Sequence, residues 1–250
     1  MANEILTETH GRVRLITLNR PEARNAVNSA LGQALVAAIE ELDSDDGLTA
    51  GVLTGAGKGF SAGMDLKAFA TEGPPKGFNQ FLTAGSQKPL IAAVEGFALA
   101  GGLEIALSCD LIVAAKGVKM GIPEVNKGLF AAGGALFRLP ERVPYGVAME
   151  MALTSDPITS EQAHELGLVT RLADPGKAAE VALELAERIA KNAPLAVAAS
   201  KQILRKTRGV TEEEAWKIQA PLMARVFTSE DAKEGPRAFA EKREPNWSGR

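Results

Sequence analysis

Four short runs of apolar, largely β-branched or small residues, Val13 to Asn19, Ala50 to Thr54, Ile91 to Glu95 and Leu111 to Ala115, are separated by segments with helical spacing. None alternates in polarity as a strand with one wet face would. Continuous apolar strands interleaved with helices imply parallel sheet covered on both faces, so an α/β protein is expected. Pro21 follows the first strand. A helix capped by Asn28 or Ser29 then reaches about Leu42, with Leu31, Leu35, Ala38, Ile39 and Leu42 on one face. Asp43 to Gly47 reads as a polar turn. Thr71 to Gly77, with two prolines and two glycines, reads as an exposed, mobile loop.

The last third differs. Pro175 to Lys191, Pro194 to Lys206, Thr211 to Arg225 and Ser229 to Lys242 are expected to be helices, the third opened by a Thr211/Glu214 capping box. A boundary is placed between Ala193 and Pro194, dividing an α/β core (1–193) from a helical region (194–250). Val197, Ile203, Leu204, Trp216, Ile218, Leu222, Val226 and Phe227 give those helices more apolar surface than so small a unit can bury alone.

Composition removes several functions. Net charge is −3, aromatic residues are 5%, and no basic block occurs, so a broad nucleic-acid-binding face is not expected. One cysteine, Cys109, and two histidines, His10 and His164, exclude an intrachain disulfide and a Cys/His zinc site; only a carboxylate magnesium site stays open. Cys109 reads as buried and inert between Leu107 and Leu111, His164 as structural on a capped helix, and His10 as a loop residue before the first strand. No run approaches the ~18–20 apolar residues of a membrane span, and the start lacks a basic then apolar export signal. A cytoplasmic setting is expected, with no membrane partner.

The glycine-rich loop Gly55 to Gly59 is no phosphate cradle: Lys58 precedes Gly59 rather than Ser or Thr, and Phe60 stands where a dinucleotide fingerprint needs its third glycine. Phe60-Ser61-Ala62-Gly63-Met64-Asp65-Leu66 is either a plain tight turn or a backbone anion site, its free N–H groups lying at a helix start near Met64. Gly101-Gly102 opens a second such helix start. Just inside it, Glu104 has apolar neighbours on every side; it is either a buried functional acid or the partner of a distant arginine, Arg138 or Arg142. Glu124, after Pro123, is an ordinary loop acid if taken alone, but two carboxylates at one site can hold and activate a water. Ser61 has no evident histidine partner for a Ser-His-Asp triad.

Taken in order, ITLNRPEARNAVN (Ile16 to Asn28), FSAGMDL, AVEGFALAGGLEIALSCD (Ala93 to Asp110), GIPEVNKGLFAAGG (Gly121 to Gly134) and EGPRAFAEKREPNW (Glu234 to Trp247) resemble the crotonase superfamily, or enoyl-CoA hydratase/isomerase family, over nearly the whole chain. The resemblance implies a spiral of ββα units with a C-terminal helical trimerisation region. The assembly it implies is a homotrimer or homohexamer. The substrate is an acyl-CoA thioester, with no cofactor beyond the coenzyme A it carries. It puts an oxyanion hole at the N–H groups of Met64 and Gly101 and the water-holding acids of an enoyl-CoA hydratase at Glu104 and Glu124, without dividing acid and base roles between them. It brings Arg24 to the CoA phosphates, the backbone of Ala26, Ala62, Asp65 and Leu66 to the adenine and pantetheine, and Phe239 and Lys242 near the CoA of this or a neighbouring subunit. An enoyl-CoA isomerase or carnitinyl-CoA dehydratase-like enzyme of this fold is the alternative; a non-catalytic acyl-CoA- or RNA-binding scaffold is the alternative of another class. This chain departs from the pattern at Ala100, in place of the first of three glycines, and at Ala131 and Ala132, in place of Pro-Gly. The Ala132 methyl near the substrate β-carbon implies slow hydration or an unusual acyl group.

Overall fold

The computed structural model describes residues 3–73 and 75–250. Its strands are β1 (Ile5–His10), β2 (Val13–Leu18), β3 (Ala50–Gly55), β4 (Leu90–Val94), β5 (Phe97–Leu99), β6 (Leu111–Ala115), β7 (Lys119–Gly121), β8 (Ile158–Thr159) and β9 (Arg171–Ala173). The helices are α1 (Ser29–Ser44), α2 (Leu66–Glu72), α3 (Phe78–Ala84), α4 (Gly101–Ser108), α5 (Ala135–Arg138), α6 (Tyr145–Thr154), α7 (Ser160–Glu165), α8 (Ala178–Ala190), α9 (Pro194–Lys206), α10 (Glu212–Phe227) and α11 (Glu230–Glu241).

A six-stranded sheet has the order β1-β2-β3-β4-β6-β9, and a three-stranded sheet the order β5-β7-β8. In the larger sheet only β1 is antiparallel to its neighbour. The chain alternates between sheets: β4 enters the large one, β5 the small one, α4 returns it to β6, and β7 crosses again. This is the expected spiral of ββα turns. Every residue of β4 is buried, as its unbroken LIAAV sequence requires. Helix α8 packs across β2, β3, β4 and β6. Ala178, Ala182 and Ala186, one turn apart and fully buried, give it a smooth face on the sheet. Glu95 holds the start of α8, its carboxylate accepting from the N–H groups of Ala178 at 2.9 Å and Gly176 at 3.2 Å.

Several expectations need correction. His10 ends strand β1 rather than lying in a loop. Only Ile5 of β1 is buried, so this edge strand carries no apolar run to betray it. Helix α2 begins at Leu66, not Met64, because the Asp65 side chain caps it by accepting from Ala68 N–H at 3.2 Å. In the Thr71 to Gly77 segment the helix continues through Glu72, and Pro75 is buried against α1 beside Gly32; Pro74 lies outside the described residues. Helix α3, which buries Phe78, Phe81 and Leu82, has no counterpart in the sequence reading. The C-terminal helices fall where expected, and the Thr211/Glu214 capping box forms.

Candidate active site

The first half of the site is a backbone zipper. Arg24 and Asn25 both sit at positive φ, 57° and 53°, turning the chain after β2. Asn25 is fully buried, and its amide donates to Ala56 O and Gly59 O, both at 2.9 Å, while accepting from Arg20 N–H. The next strip aligns residues 61–65: Ala62 N–H donates to Arg24 O, Ser61 Oγ to Asn25 O, Val27 N–H to Gly63 O, and Asp65 N–H to Val27 O. Arg20 closes this corner on Asp65 at 3.3 Å. Capping by Ala68 N–H, helped by Arg20, keeps the Asp65 carboxyl below its usual range.

From the other side, Leu99 N–H donates to Ser61 O and Ala100 N–H to Gly121 O. Ala100 has φ 52° and ψ −132°, a conformation that for a residue with a side chain costs on the order of 1–3 kcal/mol. That ψ sets the direction of the next peptide N–H, Gly101. Gly63, at φ 93°, lies directly against it: a Cβ there would stand 2.7 Å from Gly101 N. A Cβ on Gly101 would stand 3.4 Å from Met64 N. The Met64 and Gly101 amides are thus brought side by side, and neither donates a hydrogen bond among the described residues. Gly101 N–H is free because it opens α4; Met64 N–H is free because it points off the strip that Gly63 and Asp65 share with Val27. Two rigid unpaired donors are what a developing oxyanion needs.

Glu104 sits one turn into α4, 5% exposed. It makes no ion pair with Arg138 or Arg142 among the described residues; those arginines donate instead to Leu82 O, Ser108 Oγ and Gly133 O, and to Leu107 O and Cys109 O. Its carboxylate accepts from Ala135 N–H at 3.2 Å, with the Gly133 and Gly134 amides also directed at it. A Cβ on Gly133 would stand 2.6 Å from Glu104 Oε2, so a larger residue there would push the carboxylate from its place. Burial raises the Glu104 carboxyl above its ordinary value, while these amides and the Arg138 charge oppose the rise.

Glu124 lies on a 3-10 turn, Pro123–Lys127, that Pro123 starts and Gly128 ends. It is half-buried rather than an exposed loop acid, and its Oε2 is buried with no partner among the described residues. Burial, joined by the negative charge of Glu104, pushes its carboxyl up to about 7. Glu104 is near enough for its charge to act on Glu124, yet their environments differ: Glu104 accepts from a backbone N–H, while Glu124 has a buried oxygen with no partner among the described residues. A single sequence gives no sign of that asymmetry, because the donors come from residues 133–135.

The remaining candidates lie on other elements. Arg24 stacks over the Phe97 ring at 4.7 Å. Ala26, Ala62, Asp65 and Leu66 form the zipper and the lead into α2, with Leu66 exposed. Phe239 is 88% exposed on α11, and Lys242 caps that helix at φ 54°, well apart in sequence from the acids. Cys109 is buried and its thiol is pushed up to about 12 by burial, which bears out the inert reading. His164 holds Val169 O with Nδ1 at 2.9 Å, as a structural histidine. A cleft of about 810 Å³ between α9, α10 and the core is lined by neither acid.

The sequence profile described as enoyl-CoA hydratase/isomerase matches residues 8–250. The chain is 42% identical over 258 residues to an enoyl-CoA hydratase, EchA19, of Mycobacterium tuberculosis, covering 99% of this chain and 97% of the relative. It is 39% identical to a carnitinyl-CoA dehydratase of Salmonella arizonae over the full length of both. A crystal structure of an enoyl-CoA hydratase from Mycobacterium tuberculosis superposes with a TM-score of 0.94 at 52% identity, covering both chains completely.

Proposed function

The chain belongs to the enoyl-CoA hydratase/isomerase family, and we propose that it adds water reversibly, with syn geometry, across the double bond of a trans-2-enoyl-CoA to give a 3-hydroxyacyl-CoA. The enzyme is a hydro-lyase acting on an acyl-CoA thioester. The observation that carries the mechanism is the pairing of an acid that accepts a backbone N–H with one whose buried oxygen has no partner, together with two unpaired amides, among the described residues. The thioester oxygen sits on the Met64 and Gly101 N–H groups. Glu104, whose ionised form the Ala135 N–H and the Arg138 charge support against burial, takes a proton from water as the water oxygen bonds the β-carbon. The electron pair of the double bond moves into the thioester enolate. Glu124, favoured as the acid, delivers its proton to the α-carbon, and exchange with solvent resets both groups. Arg24 and the backbone of Ala26, Ala62, Asp65 and Leu66 border the CoA moiety, with Phe239 and Lys242 closing on it from the C-terminal helix. No cofactor enters beyond the CoA of the substrate.

Loss of the conjugated-thioester absorbance of crotonyl-CoA tests the activity, and a panel including branched and carnitinyl acyl groups tests the room left at Ala132. A 3-enoyl-CoA converted to its conjugated isomer without water uptake would replace hydration by isomerisation. In the same assay kcat/KM should fall above about pH 7, as Glu124 loses the proton it must give. Stability should fall as well while pH rises from 4.5 to about 7, because over that window the folded chain holds a proton the unfolded chain releases. A flat kcat/KM profile from about pH 6 to 9 would contradict the acid role of Glu124.

A homotrimer or homohexamer completes the reading. Helices α9 and α10 bury no residue within the single chain, and Phe227 is 76% exposed beside exposed Leu204, Trp216 and Met223. Such surface calls for a partner. Light scattering should return about three or six times 26.2 kDa, and truncation before Pro194 should yield aggregated or inactive protein. A stable, active monomer would refute the assembly. No helix among the described residues is long and apolar enough to cross a membrane, and a cytoplasmic setting fits the single buried thiol.

A further inference from the structure

The mechanism above gives the buried charge of Arg138 no step of its own. Arg138 ends α5 and is 8% exposed. Its guanidinium bonds only neutral acceptors among the described residues: Nη1 donates to Ser108 Oγ at 3.0 Å and Gly133 O at 3.4 Å, and Nη2 donates to Leu82 O. A buried cation without a counter-ion is costly, and folds seldom keep one without a use for it. What it grips is informative. Ser108 lies one turn after Glu104 on α4, and its hydroxyl donates to Glu104 O at 2.8 Å. Gly133 opens the run of amides, residues 133–135, that receives the Glu104 carboxylate. The fork of Arg138 therefore ties the helix that carries the acid to the loop that solvates it.

We propose that Arg138 is a positioning residue for hydration, locking the Gly133–Ala135 amides against Glu104 so that this carboxylate meets the attacking water in one orientation. The inference rests on the assignment of Glu104 proposed above. The charge acts in the same sense, since the guanidinium favours the ionised form of Glu104. The other charged groups facing this pair are Glu124, toward Glu104, and Arg205, Arg208 and Glu141, toward Arg138. Arg205 and Arg208 repel Arg138, Glu104 and Glu141 attract it, and its hydrogen bonds to Ser108, Gly133 and Leu82 fix the direction of the guanidinium.

Arg138→Met, Arg138→Lys, Glu104→Gln and the double variant Glu104→Gln/Arg138→Met of the full chain are assayed with crotonyl-CoA, with thermal melting as the check on folding. Arg138→Met should lower kcat by about 10²-fold with KM little changed, as misplacement of a reacting group does. It should also move the acid limb of kcat/KM to higher pH. Arg138→Lys should return that limb toward its original pH but recover less of kcat, since lysine supplies charge without the planar fork. The double variant should be no slower than Glu104→Gln alone, because Arg138 acts through Glu104. If Arg138→Met fails to fold, the Arg138→Lys loss of kcat and its pH profile decide the matter. Wild-type kcat and pH profile in the Arg138 variants, or losses that multiply in the double variant, would overturn the proposal while an impaired Glu104→Gln leaves the assignment of the acid standing. A fully active Glu104→Gln would remove that assignment, and this proposal with it.

Discussion

Glu104→Gln and Glu124→Gln are each expected to lower kcat for hydration of crotonyl-CoA by about 10²–10⁴-fold, the range for loss of a group that transfers a proton in the transition state. Glutamine fills the same volume, so the rate change will not reflect a cavity. Stability should move the other way or not at all. Burial opposes the charged form of both acids, and Glu124 Oε2 has no partner to lose among the described residues, so a neutral amide relieves a penalty in each place. At position 104 the new carbonyl oxygen can still accept from Ala135 N–H, which now contacts Oε1 at 3.2 Å. The signature is therefore a large loss of rate at an unchanged or raised melting temperature, read by steady-state kinetics and thermal melts on the same preparations. Full rates in both variants would sink the two-acid mechanism; a matching fall in melting temperature would point to structure rather than chemistry.

Gly63→Ala should be nearly as damaging, by a route with no side-chain chemistry in it. The new methyl would stand 2.7 Å from Gly101 N, 2.9 Å from Ala100 Cβ and 3.0 Å from Leu99 O. Two of these are backbone atoms of β5 and the start of α4, held by the Leu99–Ser61 and Ala100–Gly121 hydrogen bonds, so they cannot swing aside as a flexible side chain would. The φ of 93° adds strain for any residue with a Cβ. The two segments must part, and the Met64 and Gly101 amides part with them. Losing one donor of an oxyanion pair costs about 10²–10³ in kcat, and that loss should appear together with a lowered melting temperature. Wild-type kcat in the Gly63→Ala variant would show that the oxyanion is held elsewhere.

Glu104 and Gly63 were both visible in the sequence, each for its own reason. Glu104 stands out because a charged residue inside GGLEIALS breaks an apolar run, and no lysine or arginine lies within a turn to explain it. The glycines at the start of α4 and at Gly63 stand out because small residues mark close backbone approach. Strands β4 and β6 and helix α4 were legible because burial all round leaves an unbroken apolar run, and helices α1 and α10 because Asn28 and the Thr211/Glu214 box mark their starts. Edge strand β1 and helix α3 were not, the first because four of its six residues are solvent-facing and the second because its seven residues are too few to establish a period.

What the chain order by itself determined is the set of elements and the kind of group each could present: free amides at two glycine-rich turns, and two carboxylates of unassigned role. Only the tertiary structure decided how those groups differ. Residues 133–135 arrive at Glu104 from a turn about thirty positions away, Glu124 is left with a buried oxygen that has no partner among the described residues, and α2 begins at Leu66 rather than Met64 because Asp65 caps it, with Ala68 N–H and Arg20 converging on the Asp65 carboxylate. A proton's preference for one carboxylate over another depends on burial and on donors that are distant in sequence, and those come into being only when the spiral closes.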